Sequence, residues 1–190
     1  MNRLREWMML CEAKIIAYHG TGSRIEQFSQ AFVSPHYFTQ DKAYAEVYSG
    51  GKTPISLIDK PKKMRNYLLT VELDIRHMFD TKNDPEARNF YNTQFVPYMN
   101  RLRAKYGKPS LAELAAGQYV SFVDADWLYR YFTRTDHETP YDGMLVEEGI
   151  GKFPAIVPFH ASQIKIIKRQ IIDLSKRTFD GNKDVVDDGS

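Results

Sequence analysis

The stretch Ala17-Tyr18-His19-Gly20-Thr21-Gly22 decides the reading of this chain. The apolar run Ile15-Ile16-Ala17 marks a strand at about 14–18, and two glycines flanking a threonine end it. A histidine therefore stands where a strand stops and the backbone opens. One imidazole and several bare backbone N–H and C=O groups then face the same small ligand. Such a triplet occurs by chance, and a strand-end histidine is often structural, so its meaning depends on the segments around it.

Upstream, Leu4, Trp7, Met8 and Cys11 have the spacing of an amphipathic helix over 2–12. Downstream, residues 22–36 lack periodicity, with Phe28 and Phe32 as anchors to the core. His36-Tyr37-Phe38-Thr39 is a short β-type run. Thr39 or Asp41 caps a helix over about 41–49, which Gly50-Gly51 ends. A polar loop over 50–65 carries Lys60, Lys62, Lys63 and Arg65. From Asn66 to Ile75 a strand places Leu69, Val71 and Leu73 on one face. Asp84-Pro85-Glu86 opens a helix by cap, first-turn proline and acidic first turn, and Pro97 must kink or split it before about Tyr106. Ser110-Leu111-Ala112-Glu113 reads as a capping box of a helix that Gly117 stops. A further helix over roughly 123–132 buries Trp127, Leu128 and Tyr131. Strands follow at 144–146, 155–157 and 163–169, with Tyr141-Asp142-Gly143 as a tight turn.

The 190 residues, 43% of them hydrophobic, suit one domain with a core of its own, expected over 1–179. Asp180, Asp184, Asp187 and Asp188 against Lys183 give the tail 180–190 a net charge of −3, and subtracting that from the chain's +2 leaves +5 on residues 1–179. The acidic tail is expected to be disordered. The mildly basic body is compatible with nucleic acid without demanding it. No apolar run reaches membrane-spanning length, and the start Met1–Trp7 has Glu6 and no small-residue cleavage site. With a single cysteine, Cys11, the expectation is a cytoplasmic protein without disulfide or membrane partner. His36, His77, His137 and His160 lack paired ligand spacing, so no metal is expected, and phosphate-loop and dinucleotide glycine motifs are absent from the sequence.

Three pieces together resemble the ADP-ribosyltransferase superfamily in its His-Tyr-Glu branch: Tyr18-His19-Gly20-Thr21, then Tyr37-Phe38-Thr39 with Ala45-Glu46-Val47-Tyr48, then Tyr141-Asp142-Gly143-Met144 with Val157-Pro158-Phe159 and Gln163-Ile164-Lys165. The likeness is greatest to small bacterial and phage members and spans about 15–167, with no contribution from 50–140. It implies an α+β fold with a split, mostly antiparallel sheet and surrounding helices. It also implies a substrate, NAD. By that resemblance His19 bonds ribose hydroxyls, Gly20 offers N–H and C=O to the nicotinamide carboxamide beside Thr21, and Tyr37 and Tyr48 sandwich the ring. Tyr44, one helical turn before Tyr48, is the other candidate for that face; the spacing favours Tyr48.

The branch's glutamate is missing. Counting back from the Phe159…Gln163-Ile164 pattern lands near Ala155, within Phe153-Pro154-Ala155-Ile156, where no carboxylate stands. Three outcomes stay open: Glu147 or Glu148 takes its place, Gln163 orients the sugar or acceptor without charge, or the site binds NAD and catalyses weakly or not at all. The expected function is transfer of one ADP-ribose to a macromolecule, RNA or DNA slightly ahead of protein, in a bacterial or phage toxin or defence setting where an antitoxin is a possible partner. The alternatives are an NAD-binding pseudo-enzyme or interaction domain, and an RNA 2′-phosphotransferase, whose Arg-His-Arg-Arg set is not found.

Overall fold

The computed structural model describes residues 14–29, 35–49, 66–134, 139–147 and 154–172, without the side chains of 47–49 and 134. The helix expected over 2–12, the loop over 50–65, Gly50-Gly51, Glu148 and the tail lie outside the described residues, as does the Tyr48 side chain.

The architecture is mixed α+β, and its longer strand pairings are antiparallel. Strands β1 (Ile15–Thr21), β2 (Asn66–Leu73) and β7 (Ile164–Ile172) form one sheet in the order β1-β2-β7. In the second sheet, β5 (Gly143–Glu147) pairs antiparallel with β6 (Ala155–Pro158). Two short strands, β3 (Met78–Phe79) and β4 (Val120–Ser121), lie parallel to its first and last residues.

Phe38 and Thr39 join the sheets. Thr39 exchanges two backbone bonds with Tyr18 of β1, at 2.7 and 3.0 Å, and Phe38 exchanges two with Ile156 of β6, at 2.9 and 2.7 Å. Alternation along this short extended run sends neighbouring side chains to different cores. Phe38 enters a cluster with Ala17, Phe28, Leu69, Val71 and Leu73, whereas Tyr37 packs against a second cluster built around Phe79, Tyr91, Phe95, Leu128 and Phe159.

Helix α1 (Lys42–Ser49) starts where the sequence places it: Thr39 Oγ1 accepts from the Asp41 N–H, and Asp41 Oδ1 accepts from the Tyr44 N–H. Asp84 likewise caps α2 (Pro85–Phe90) by accepting from the Glu86 N–H at 2.9 Å. Pro97 splits the long helix as expected. A wide π turn over Tyr91–Phe95 precedes α3 (Val96–Lys105), and the Val96 N–H reaches back to the Tyr91 carbonyl. Proline lacks a donor and its ring crowds the carbonyl four residues back, so the helix changes register just before it.

Two expectations are corrected. No helix forms over 110–117. The Asn100 side chain donates to the Leu111 carbonyl and accepts from its N–H, at 3.2 and 2.6 Å, and Asn92 does the same for Leu114, at 3.0 and 2.8 Å. These amides hold the segment as a backbone strand would, and they take the N–H groups that a helix needs. Trp127 is also not core. Helix α4 (Phe122–Arg134) buries Ala125, Leu128, Tyr131 and Phe132, and Trp127 falls off that stripe at 46% exposed.

The turn before β5 is a pin. The Asp142 carboxylate accepts from the Arg76 and His77 N–H groups, the shortest bond being 2.8 Å. A Cβ on the next residue, Gly143, would lie 2.9 Å from two carbons of the buried Ile75 side chain and 3.2 Å from the Val157 carbonyl oxygen. Gly143→Ala is therefore expected to cost ~1–3 kcal/mol by overpacking, read as a lower urea midpoint with unchanged slope. An unaltered midpoint would show that Ile75 gives way freely.

Candidate functional site

The end of β1 exposes backbone by geometry. Both polar groups of Tyr18 point to Thr39, so those of Ala17 and His19 point to β2, and those of Gly20 again point to the Thr39 side. In that antiparallel register the residue opposite Gly20 is Tyr37, whose carbonyl accepts from the His19 ring instead, and no described residue bonds the Gly20 N–H or C=O there. One residue thus presents a donor and an acceptor side by side at an open edge.

His19 stands beside it. Its Nδ1 lies 2.8 Å from the Tyr37 carbonyl oxygen, so Nδ1–H donates and Nε2 is left as an acceptor in the neutral ring. Burial pushes its pKa below the usual histidine value, the Tyr37 bond opposes that, and neighbouring His36 adds to the lowering. Burial lowers His36 as well. Phe28 meets the His19 ring edge-on at 5.5 Å, and Phe38 lies 5.3 Å away.

Tyr37 fixes the opposite wall. Its hydroxyl donates to Asp126 Oδ1 at 3.1 Å, and its ring sits 4.9 Å from that of Phe122. Phe122 is held at the start of α4 by a cap in which Ser121 Oγ donates to Asp124 Oδ2 at 2.7 Å and accepts from the Asp124 N–H at 3.3 Å. Between these groups lies a cavity of about 210 Å³, walled by His19, Gly20, Tyr37, Thr39, Tyr44 and Phe122 among others. It falls below the ~300–1,000 Å³ of drug-sized pockets. The room suits one flat ring and its substituent.

A larger hollow of about 580 Å³ runs beside α2 past Glu86, Asn89, Phe90 and Tyr141. It is the more open of the two and holds none of the residues expected from the sequence to bind NAD or to act in catalysis. Burial and the charges of Asp84 and Glu86 push the Tyr141 phenol up to about 12, so that hydroxyl stays protonated. The smaller cavity has the stronger claim, because bare backbone groups, a neutral imidazole and aromatic walls converge there.

Of the residues expected to act, His19, Gly20 and Tyr37 share this cavity. Thr21 is outside its wall and accepts the Ser23 N–H at 3.1 Å. On α1, Tyr44 is in the wall. Glu147 ends β5 in register with Ser121, exposed and one residue from Phe122 in that pairing. Gln163 stands apart from the cavity. Its Oε1 accepts the His160 N–H at 2.8 Å and its Nε2 donates to the Asp74 carbonyl at 3.0 Å, which closes the turn before β7. Extending the Phe38–Ile156 bridge by one residue sets Ala155 opposite Thr39, against the cavity wall.

Sequence reasoning missed Phe122 and Asp126. Phe122 precedes the core stripe of α4, and Asp126 is 89 residues from Tyr37, a separation that leaves no local signal. Among the described residues no group of three or more potential ligands could hold a metal ion, and no helix is long and apolar enough to cross a membrane. No protein-family model and no curated protein matches this chain.

Proposed function

We propose that this cavity receives the nicotinamide end of NAD and that the chain is an ADP-ribosyltransferase of the His-Tyr-Glu type, moving one ADP-ribose to a macromolecular acceptor. The observation that carries the reading is that no described residue bonds the Gly20 backbone groups on the cavity side. A carboxamide has one donor side and one acceptor side, and Gly20 complements both. Tyr37, Tyr44 and Phe122 supply flat walls, each face worth ~1 kcal/mol beyond area burial. His19 Nε2 accepts from a ribose hydroxyl. In the reaction the bond from ribose C1′ to the nicotinamide nitrogen breaks, and its electron pair leaves with neutral nicotinamide. An acceptor nucleophile then bonds to C1′ and releases its proton to solvent.

Positive charge on the departing ribose calls for an anion. Asp126 is the carboxylate joined to a wall residue, through the Tyr37 hydroxyl. With its proton directed at Asp126, the Tyr37 oxygen turns its lone pairs to a ligand. Glu147 at the Phe122 rim is the second source. The alanine at 155 favours a second reading, an NAD-binding protein of little turnover.

The test is incubation of the full chain with NAD and total cell RNA, DNA and protein. Nicotinamide release is followed alongside the mass of one ADP-ribose on an acceptor. Release with a single added group supports transfer. NAD binding by calorimetry without release supports the second reading, and no NAD binding overturns both.

A further inference from the structure

We propose that the larger hollow, beside α2, receives the guanidinium of an arginine side chain presented by a partner polypeptide. One wall is a helical stripe in which Glu86, Asn89, Phe90 and Thr93 follow at three- and four-residue steps. Pro140 and Tyr141, on the chain that leads into β5, form the other. Phe90 and Tyr141 are half-buried and the other lining residues exposed, so these two rings make the floor. Both are fixed from behind. Phe90 stacks on Phe132 with ring centres 5.7 Å apart, and Tyr141 meets Phe79 edge-on at 4.8 Å. Phe79 and Phe132 are buried in the core, so the floor is in place before any ligand arrives.

Charge selects the occupant. Neither Asp84 nor Glu86 forms an ion pair with a described residue. The Asp84 carboxylate caps α2, and the Glu86 side chain stands exposed on the wall. Their field reaches the floor: both charges act on the Tyr141 phenol, and no cation is among the groups that do. An anionic occupant is repelled there and a neutral one leaves the field unanswered, whereas a cation complements it. Acceptors are also unspent. Asn92 and Asn100 give their amides to backbone, but the Asn89 amide bonds no described residue; only its backbone carbonyl is used, by Thr93 Oγ1 at 2.8 Å. A planar guanidinium stacks on an aromatic floor and reaches several acceptors at once, which a compact, strongly hydrated ammonium does not. A small cation would leave most of the 580 Å³ to water. An arginine on a chain brings an aliphatic stem and flanking residues to cover Pro85 and Pro140.

This site does not depend on the ADP-ribosyltransferase reading, since the hollow shares no lining residue with the smaller cavity. The experiment is an NMR titration of the full chain, without NAD, followed at the Phe90 and Tyr141 ring protons. The probe is a short blocked peptide of glycine and serine with one central arginine, alongside versions with lysine, glutamine or glutamate at that place. The arginine peptide is expected to shift both rings to saturation, with affinity falling as salt rises. The glutamine peptide should bind at least tenfold more weakly, and the lysine peptide several-fold more weakly. Glu86→Gln should weaken arginine binding about three- to fivefold, the scale of an exposed charge contact, and Asn89→Asp should strengthen it by a similar factor. Both positions are exposed, and urea midpoints confirm that each variant is folded. No shift at either ring, equal affinity for the arginine and glutamine peptides, or unchanged affinity in both variants overturns the proposal. So does tightest binding by the glutamate peptide. A lysine peptide equal to the arginine one removes the guanidinium. Blocked free arginine binding as tightly as the peptide removes the polypeptide and gives the hollow to a small cation.

Discussion

His19→Asn is expected to lower NAD affinity or turnover by about 10- to 100-fold while leaving the fold nearly as stable as before. The asparagine amide can sit where Nδ1 now donates to the Tyr37 carbonyl, but it has no atom at the position of Nε2. A ligand hydroxyl then loses its acceptor, a loss of ~1–3 kcal/mol, equivalent to that fold-change. His19→Ala removes both contacts and should add a stability cost, because the part-buried Tyr37 carbonyl loses its donor. Calorimetry with NAD and urea denaturation of the two variants separate binding from folding. Unchanged NAD affinity in both variants would remove His19 from the site.

Acid dependence follows from the same ring. Burial lowers the folded pKa of His19 below the 6.5 of the free side chain. Above pH 6.5 both folded and unfolded forms are neutral, and the contribution to stability is complete. As pH falls below 6.5 the unfolded chain takes up the proton first, so stability declines until the folded pKa is reached. Ligand affinity depends on the folded pKa alone and is expected to persist below pH 6.5. His36 acts in the same direction, so His19→Asn should flatten the acid slope only in part. Urea midpoints between pH 5 and 8 measure it.

Features governed by local chemistry were legible in the sequence. The caps at Asp41 and Asp84, the break at Pro97 and the strand leading into His19 each follow from a few neighbouring residues. The Ser110–Gly117 capping box misled because its local preference loses to two asparagine side chains on another helix. The same distinction divides the site. The His19-Gly20 pair was singled out by the sequence as lying just past a strand at about 14–18, whereas β1 runs on through Thr21 and pairs both residues with β2, because Leu68 and Leu69 supply the partner backbone. The further wall of the site was not legible, because Phe122 and Asp126 reach Tyr37 only through tertiary packing. Periodicity sorts α4 into an inner and an outer stripe. It carries no information on what stands in front of the outer one, so Trp127 read as core.

Phe38→Ala is expected to be the most destabilising substitution in the described residues near the site. The side chain is 1% exposed and touches both Phe28 and His19 with ring centres 5.3 Å away. Truncation leaves the two backbone bonds to Ile156 in place but opens a void between the sheets at their joint. Phenylalanine-to-alanine changes in cores cost ~3–5 kcal/mol, set against a total stability of ~5–15 kcal/mol for a domain. At ~2–4 °C per kcal/mol for a chain of this size, Tm should fall by roughly 6–20 °C. The void also frees the His19 ring on one side, so NAD affinity should drop even at temperatures where the variant is folded. Phe38→Leu, which refills much of the space, should recover most of both losses. Thermal unfolding followed by circular dichroism, with NAD titration at 15 °C, tests the pair of effects. A Tm within 2 °C of wild type would mean that the Phe38 ring does not hold the two sheets together, and that His19 is positioned by the Tyr37 bond alone.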